Sequence, residues 1–257
     1  MSALGEWRHV HAAHCESGVT RALLLNHGLD LSEPMIFGLS GGVFFGHLPF
    51  INVMGHPLTT FRTMPGWVFK KACERSGVVC ARETYRTPEQ AMDRLDALLD
   101  GGTRVGLQLN IYWLPYVPKP MRVHFNGHNL VVLAKRDGVY QVSDPVMEQV
   151  FDCPVADLKR ARFSASVPLM GKGLAYFPTR LPDGDVDLRS GIHGGLAQAC
   201  NHMLRIPFVF PWLGVRGIRH LASRVRRWPA SGDRRAREWM AGLVRMQEEI
   251  GTGGAGF

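Results

Sequence analysis

The stretch that decides the reading is His14-Cys15-Glu16-Ser17-Gly18-Val19-Thr20-Arg21-Ala22-Leu23-Leu24-Leu25-Asn26-His27-Gly28. A cysteine follows a histidine-rich lead-in (His9, His11, His14) and stands just ahead of a helical run, Val19 to Asn26. Gly28 closes that run in the C′ position glycine prefers. A helix N-terminus carries unpaired N–H groups and partial positive charge, so a thiol placed there is drawn toward the thiolate, its nucleophilic form. Taken alone, the same cysteine also fits a small buried hydrophobe. What decides between the two is whether the rest of the chain supplies it with a base.

Working outward, Ser32-Glu33-Pro34 signals a second helix with Ser32 as N-cap. Gly38 to Gly46 is glycine-dense and aromatic. It lacks the lysine of a phosphate-binding G-x-x-x-x-G-K-[ST] loop, so close backbone packing beside a site is the better reading. Pro65 to Cys73 reads as a helix and Val78 to Ala81 as a short strand. Thr87-Pro88-Glu89-Gln90 opens a helix with Thr87 as N-cap and Pro88 at N1, and Gly101-Gly102 stops it. Arg104 to Ile111 is strand-like, and Tyr112 to Pro120 is a proline-rich loop. Asn129 to Ala134 and Gly138 to Ser143 are apolar strands joined through Asp137-Gly138, the strongest short hairpin signal. Pro154 to Leu158 begins a short helix, and Gly173 to Phe177 is a further strand. Leu181 to Arg189 reads as a linker, followed by helices over 196–204, 214–227 and 234–250. The expected architecture is α+β, with a first domain over 1–180 and a helical region over 190–257.

The hairpin supplies the base. His128 opens its first strand and Asp144 closes its second, which puts them at neighbouring ends of adjacent antiparallel strands. A carboxylate there can hold one imidazole nitrogen while the other faces a thiol. Cys15 is then the nucleophile, His128 the proton acceptor and donor, and Asp144 the group that sets its tautomer. The Cys15 backbone N–H can form part of an oxyanion hole. His124 is a rival base on the same nominal face. His9, His11 and His14 with Cys15 are too tightly spaced for a structural zinc site, so no metal is expected.

The chain has 257 residues, 46% hydrophobic and 20% charged, enough to bury a core without disulfide staples. Five scattered cysteines without a C-x-x-C pair exclude a zinc ribbon and a thioredoxin motif and point to a reducing compartment. The N-terminus has no apolar signal-peptide core, and no unbroken apolar run reaches membrane-spanning length. A cytoplasmic location is therefore expected. The nearest apolar run, Met35 to Gly55, reads as a buried, turn-rich segment. The net charge is +8, with arginines concentrated late in the chain. That suits an acidic protein, nucleic acid or an anionic membrane surface.

Three sets of residues carry a family resemblance. His14 to Leu24, then Gly28 and Leu31 to Gly42, resembles the N-terminal domain of the butirosin biosynthesis protein H family, which is similar in fold to papain-like and C39-type cysteine peptidases. Gly127-His128 and Asp144-Pro145 resemble the His and Asp motifs of the wider papain-like group. Trp212 to Ala222 and Gly251 to Phe257 resemble that family's helical second domain. The resemblance implies a papain-like fold, with the Cys-bearing helix packed on an antiparallel sheet. It implies an acyltransferase that moves an acyl group from an acyl carrier protein thioester to an amine, aminoglycoside in the family's named member. It implies no bound cofactor. The donor is acyl-phosphopantetheine on the carrier, and Arg216, Arg219, Arg226 and Arg227 are candidates for docking it. Ile206 to Leu213 is a weaker candidate for lining an acyl tunnel. Papain-like enzymes commonly carry a Gln six residues before the cysteine as oxyanion donor. Here that position is His9, which leaves His9, His14, Gly41 and Gly42 as candidates for oxyanion or substrate contacts. The chain also ends in a glycine-rich turn where the resembled domain is expected to continue, which leaves a shortened form open. A cysteine amidase or peptidase using the same three residues is the alternative activity, and a basic binding module the non-enzymatic one.

Overall fold

The computed structural model describes residues 7–53, 56–164, 172–184, 186–206, 209–226, 234 and 237–241. Helix α1 (Cys15–Asn26) is followed by α2 (Glu33–Leu39), strands β1 (Val43–Val53) and β2 (His56–Arg62), helix α3 (Trp67–Ser76), β3 (Val79–Glu83) and α4 (Pro88–Asp100). Then come β4 (Val105–Leu109), β5 (His128–Arg136), β6 (Val139–Ser143), β7 (Val150–Pro154), α5 (Val155–Phe163), β8 (Ala175–Arg180), α6 (Leu188–Leu204) and α7 (Gly214–Val225). Ser32 and Thr87 cap α2 and α4 as their sequences dictate, each accepting from the amide three residues on.

Six strands form one antiparallel sheet in the order β3-β8-β4-β5-β6-β7. The β5–β6 hairpin turns through Asp137 (φ 48°) and Gly138 (φ 77°), the left-handed pair that matches the twist of the strands. Alternation along β5 divides the core. Leu130 and Val132 join the cluster covered by α4 and α5, whereas Val131 and Leu133 join the one covered by α1, α2 and α3. The sheet is therefore buried on both faces, and α1 lies across one of them with its N-terminus at the start of β5.

The structure corrects the reading of Met35 to Gly55 as turn-rich. Its middle is the long strand β1, paired antiparallel with β2 in a separate two-stranded sheet. The breakers are accommodated where pairing is irregular: the register shifts between Val43 and Gly46, and again between Leu48 and Asn52, a stretch that contains Pro49. Segment 212–213 meets the same strand, with a bridge from Gly46 to Leu213 and the His47 N–H donating to Trp212 O at 2.8 Å. Two further differences are β7, a strand the sequence did not announce, and the early start of α6 at Leu188 behind the N-cap Asp187. The glycines Gly191, Gly194 and Gly195 disfavour helix locally, and packing against α2 and α3 overrides that preference. Most of the helix expected over 234–250, and the tail 251–257, lie outside the described residues.

Candidate active site

Cys15 is the first residue of α1, and its segment is clamped by two carboxylates. The Glu33 side chain, in the first turn of α2, accepts from the Ala13 N–H (3.0 Å), the His14 N–H (2.9 Å) and the Ser17 hydroxyl (2.8 Å). Glu16 points the other way, accepting from the Val68 N–H at 2.8 Å and pairing with Arg62 at 3.3 Å. It thereby caps α3, whose own N-cap residue, Gly66, has no side chain to do so. Burial raises the Glu16 carboxyl pKa, and the Arg62 charge and the amides of Gly66, Val68 and Phe69 oppose that rise. Glu33 ties the turn that bears Cys15 to α2 and Glu16 ties it to α3 and Arg62, so the thiol is held by the fold rather than by a loop.

His128 Nε2 lies 2.7 Å from Asp144 Oδ2, and both side chains are buried. Asp144 is itself fixed by the Tyr116 hydroxyl at 2.9 Å and the Val146 N–H at 3.2 Å. His128 and Cys15 are electrostatically coupled, each favouring the charged form of the other. Burial pushes the His128 pKa down, but the charge and hydrogen bond of Asp144, with the contribution of Cys15, carry it up to about 10. Burial pushes the Cys15 pKa up, yet His128, Arg62 and the Asn129 amide together bring it below its ordinary value. Both shifts favour a thiolate beside an imidazolium, the reactive form of a cysteine nucleophile.

Asn129 is a site residue that the sequence reading missed. Its Nδ2 donates to Gly127 O at 2.9 Å and reaches Cys15 Sγ at 3.8 Å, while its Oδ1 accepts from the Tyr176 hydroxyl at 2.8 Å. Strand parity was the available signal: Asn129 shares the face of Val131 and Leu133, the face α1 covers. Tyr176 in turn fits against Gly106, where a Cβ would come within 2.4 Å of its ring. Tyr116 and Glu33 were missed as well, because neither carries a spacing that relates it to Cys15.

The remaining candidates fall as follows. His124 is exposed and stacked on Tyr112, with ring centroids 3.8 Å apart, while Asp144 partners His128. His9 has both ring nitrogens engaged, one at 2.8 Å from Ser143 Oγ and one at 3.0 Å from Met147 O. It ties the N-terminal segment to the end of β6 and has no free N–H for an oxyanion. The Gly41 and Gly42 amides donate to Gly38 O and Phe37 O, closing the end of α2. His14 is the N-cap of α1, and its Nε2 is buried without a partner. Arg216, Arg219 and Arg226 are exposed along and just after α7, and Arg227 lies outside the described residues. Ile206 to Leu213 lies partly outside them, and Val209 and Phe210 are exposed rather than enclosed. Among the described residues no group of three or more His, Cys, Asp and Glu side chains could hold a metal ion.

No curated protein sequence matches the chain. Among solved structures it is similar to one described as a C39-like peptidase from Bacillus anthracis, with a TM-score of 0.47 and 12% identity over 69% of this chain and 96% of the other. It is also similar to the peptidase domain of Streptococcus ComA, described as a bi-functional ABC transporter of a quorum-sensing pathway. There the TM-score is 0.39 and the identity 15%, over 69% of this chain and 100% of the other. The family model of a domain of unknown function, DUF4872, matches residues 156–257. That span contains β8, which sits between β3 and β4, so the two halves of the chain build one sheet. The family model of butirosin biosynthesis protein H, N-terminal, matches residues 14–145, just over half of the chain and a span that holds Cys15, His128 and Asp144. The chain belongs to the butirosin biosynthesis protein H family.

Proposed function

We propose that the protein is a thiol acyltransferase that takes an acyl group from an acyl carrier protein thioester onto Cys15 and passes it to an amine. The observation that carries this reading is the buried Cys15–His128–Asp144 line at the N-terminus of α1. The Cys15 thiolate adds to the thioester carbonyl carbon, and the carbonyl π electrons move to oxygen. Collapse of that adduct expels the carrier thiolate, which takes the proton held by His128. The amine then attacks the Cys15 thioester, His128 accepts its proton, and Cys15 leaves as thiolate with the amide formed. Asp144 holds the imidazole in one orientation through both steps.

Several features support transfer. Cys15 is 8% exposed and His128 4%, which limits water at the acyl-enzyme. A thioester stays reactive toward amines, so the intermediate suits this acceptor. The exposed Arg216, Arg219 and Arg226 form a basic face for an acidic carrier, whose phosphopantetheine arm delivers the acyl group. All five cysteines are free and none of the described helices is long and apolar enough to cross a membrane, in keeping with work in the reducing cytoplasm.

Intact-protein mass spectrometry after mixing with acyl carrier thioesters tests the reading. The expected result is one added acyl mass on the wild type, none on Cys15→Ala, and its discharge as an amide when an amine is supplied. Release of free acid at the same rate with and without amine makes the protein a cysteine hydrolase instead. Acylation that survives Cys15→Ala removes the mechanism altogether.

A further inference from the structure

We infer that His14 is a catalytic residue, its Nε2–H donating, together with the Cys15 backbone N–H, to the oxyanion formed during acyl transfer. This rests on the acyl-enzyme reading above. The first amides of a helix have no partner within it, which leaves the Cys15 N–H outside the hydrogen-bond ladder of α1. A second donor is needed beside it, and His9, Gly41 and Gly42 have theirs committed elsewhere.

The hydrogen bonds around His14 assign its proton. The Ser17 N–H donates to Nδ1 at 3.2 Å, so Nδ1 is an acceptor and carries no hydrogen. The Ser17 hydroxyl, 2.9 Å from the same nitrogen and 2.8 Å from Glu33, can give its hydrogen to only one of them, so the ring proton is assigned from the Ser17 amide, whose hydrogen is fixed by the backbone. Burial, together with the nearby positive charges of Arg62 and His128, lowers the His14 pKa well below its ordinary value and keeps the ring neutral. The one ring proton therefore sits on Nε2. That atom is closed off from solvent and has no hydrogen-bond partner. Buried donors are almost always satisfied, and an exception beside a nucleophile points to a group that arrives with the reaction.

The ring is also rigid. Nδ1 is pinned to the first turn of α1, the His14 N–H is pinned to Glu33, and the ring edge packs on Phe37 with centroids 6.1 Å apart. A donor fixed before the substrate arrives, and neutral so that it does not compete with His128 for the thiolate, is what an oxyanion site requires.

The test uses His14→Asn and His14→Ser, both good N-caps that keep an acceptor for the Ser17 amide but lack the Nε2–H. Three readouts are compared with the wild type: acylation of Cys15 by a small acyl thioester, affinity for a peptide aldehyde that forms a tetrahedral thiohemiacetal, and alkylation by iodoacetamide, which forms no oxyanion. The expected result is a loss of about 10²-fold in acylation rate and aldehyde affinity, with alkylation within about twofold of wild type. Acylation at the wild-type rate in either capping variant overturns the assignment. So does an equal fall in alkylation and acylation, which makes His14 a support for the thiol rather than for the oxyanion. Wild-type protein that is alkylated at Cys15 but takes up neither thioester nor aldehyde overturns the acyl-enzyme reading itself, and the role of His14 with it.

Discussion

The sheet with its flanking helices and the pair α6 and α7 are held to the same molecule by opposite means. Around the sheet, contact is made by large side chains: Leu107, Leu130, Val132 and Tyr140 on one face, Val19, Ile36, Phe69 and Val131 on the other. In α6 and α7 the buried residues are glycines, Gly191 and Gly195 in the first and Gly214 and Gly217 in the second. A Cβ on Gly195 would stand 2.2 Å from Gly38 O, and one on Gly191 2.4 Å from Arg75 O. Helix lies directly on backbone there, fastened by Arg75, which donates to Leu39 O (2.6 Å) and Gln198 Oε1 (2.7 Å). The difference is one of tolerance. A side-chain core yields by degrees when an atom is lost, whereas a backbone-to-backbone seat cannot accept one that is gained. The candidate active site lies in the first kind of contact, where Asp144 is held by His128, Tyr116 and Val146 and Cys15 lies against Gly127 and Asn129.

Five changes would break or sharpen that contrast, and the largest effect belongs at the site. His128→Asn should slow acylation of Cys15 by about 10²–10⁴-fold and slow iodoacetamide alkylation at neutral pH, because the depressed Cys15 pKa depends on His128. The wild-type pH profile should rise as Cys15 ionises below its ordinary range and fall as His128 loses its proton at about 10. Asp144→Asn should move the falling limb to lower pH, since Asp144 is what raises His128. A falling limb that stays put in that variant would assign it to another group. The sign for stability follows: a histidine whose folded pKa is raised stabilises fully below its unfolded value near 6.5 and loses that contribution as pH rises through about 10. Thermal melts should therefore drop on the alkaline side.

Next comes Glu16→Gln, which keeps an acceptor for Val68 but leaves the buried Arg62 guanidinium without its counter-charge. Removing one partner of a buried pair costs about 3–5 kcal/mol, readable by urea denaturation. A loss below about 1 kcal/mol would mean that the pair is solvated. Gly195→Leu, at the backbone seat, should destabilise α6 by about 1–3 kcal/mol and open it to limited proteolysis, with Cys15 alkylation unchanged. Loss of alkylation in that variant would show that the seat and the site are one unit after all. The smallest effect is expected one residue along. Leu196 is 59% exposed, so Leu196→Lys should stay within about 0.5 kcal/mol, although it is the larger and more apolar side chain.

Legibility in the sequence followed how local the cause was. Ser32, Thr87-Pro88 and Asp137-Gly138 mark their caps and turn because a single residue's hydrogen bond or φ decides each of them. His128 and Asp144 were readable because a tight hairpin carries the two strand ends to one side of the sheet. Long strand β1 was hidden by Gly46 and Pro49, which read as breakers until β2 and segment 212–213 supply the pairing that absorbs them. Helix α6 was half hidden for the matching reason, since its glycines look like helix defects before their neighbours are seen.

Sequence alone was enough to mark the α+β class, the cysteine ahead of a helix and the hairpin that brings a histidine to it, because periodicity, capping and turn chemistry act within a few residues. Tertiary structure decided everything that depends on distant segments meeting: Glu33 and Glu16 clamping the turn that bears Cys15, Tyr116 holding Asp144, and Tyr176 aiming Asn129 at the thiol. It also separated the histidines of the lead-in. His9 is occupied by Ser143 and Met147, while His14 is left with a buried nitrogen and no partner. Hydrogen bonds of a few ångströms between residues far apart in the chain have no signature in spacing, so only the folded chain can assign them.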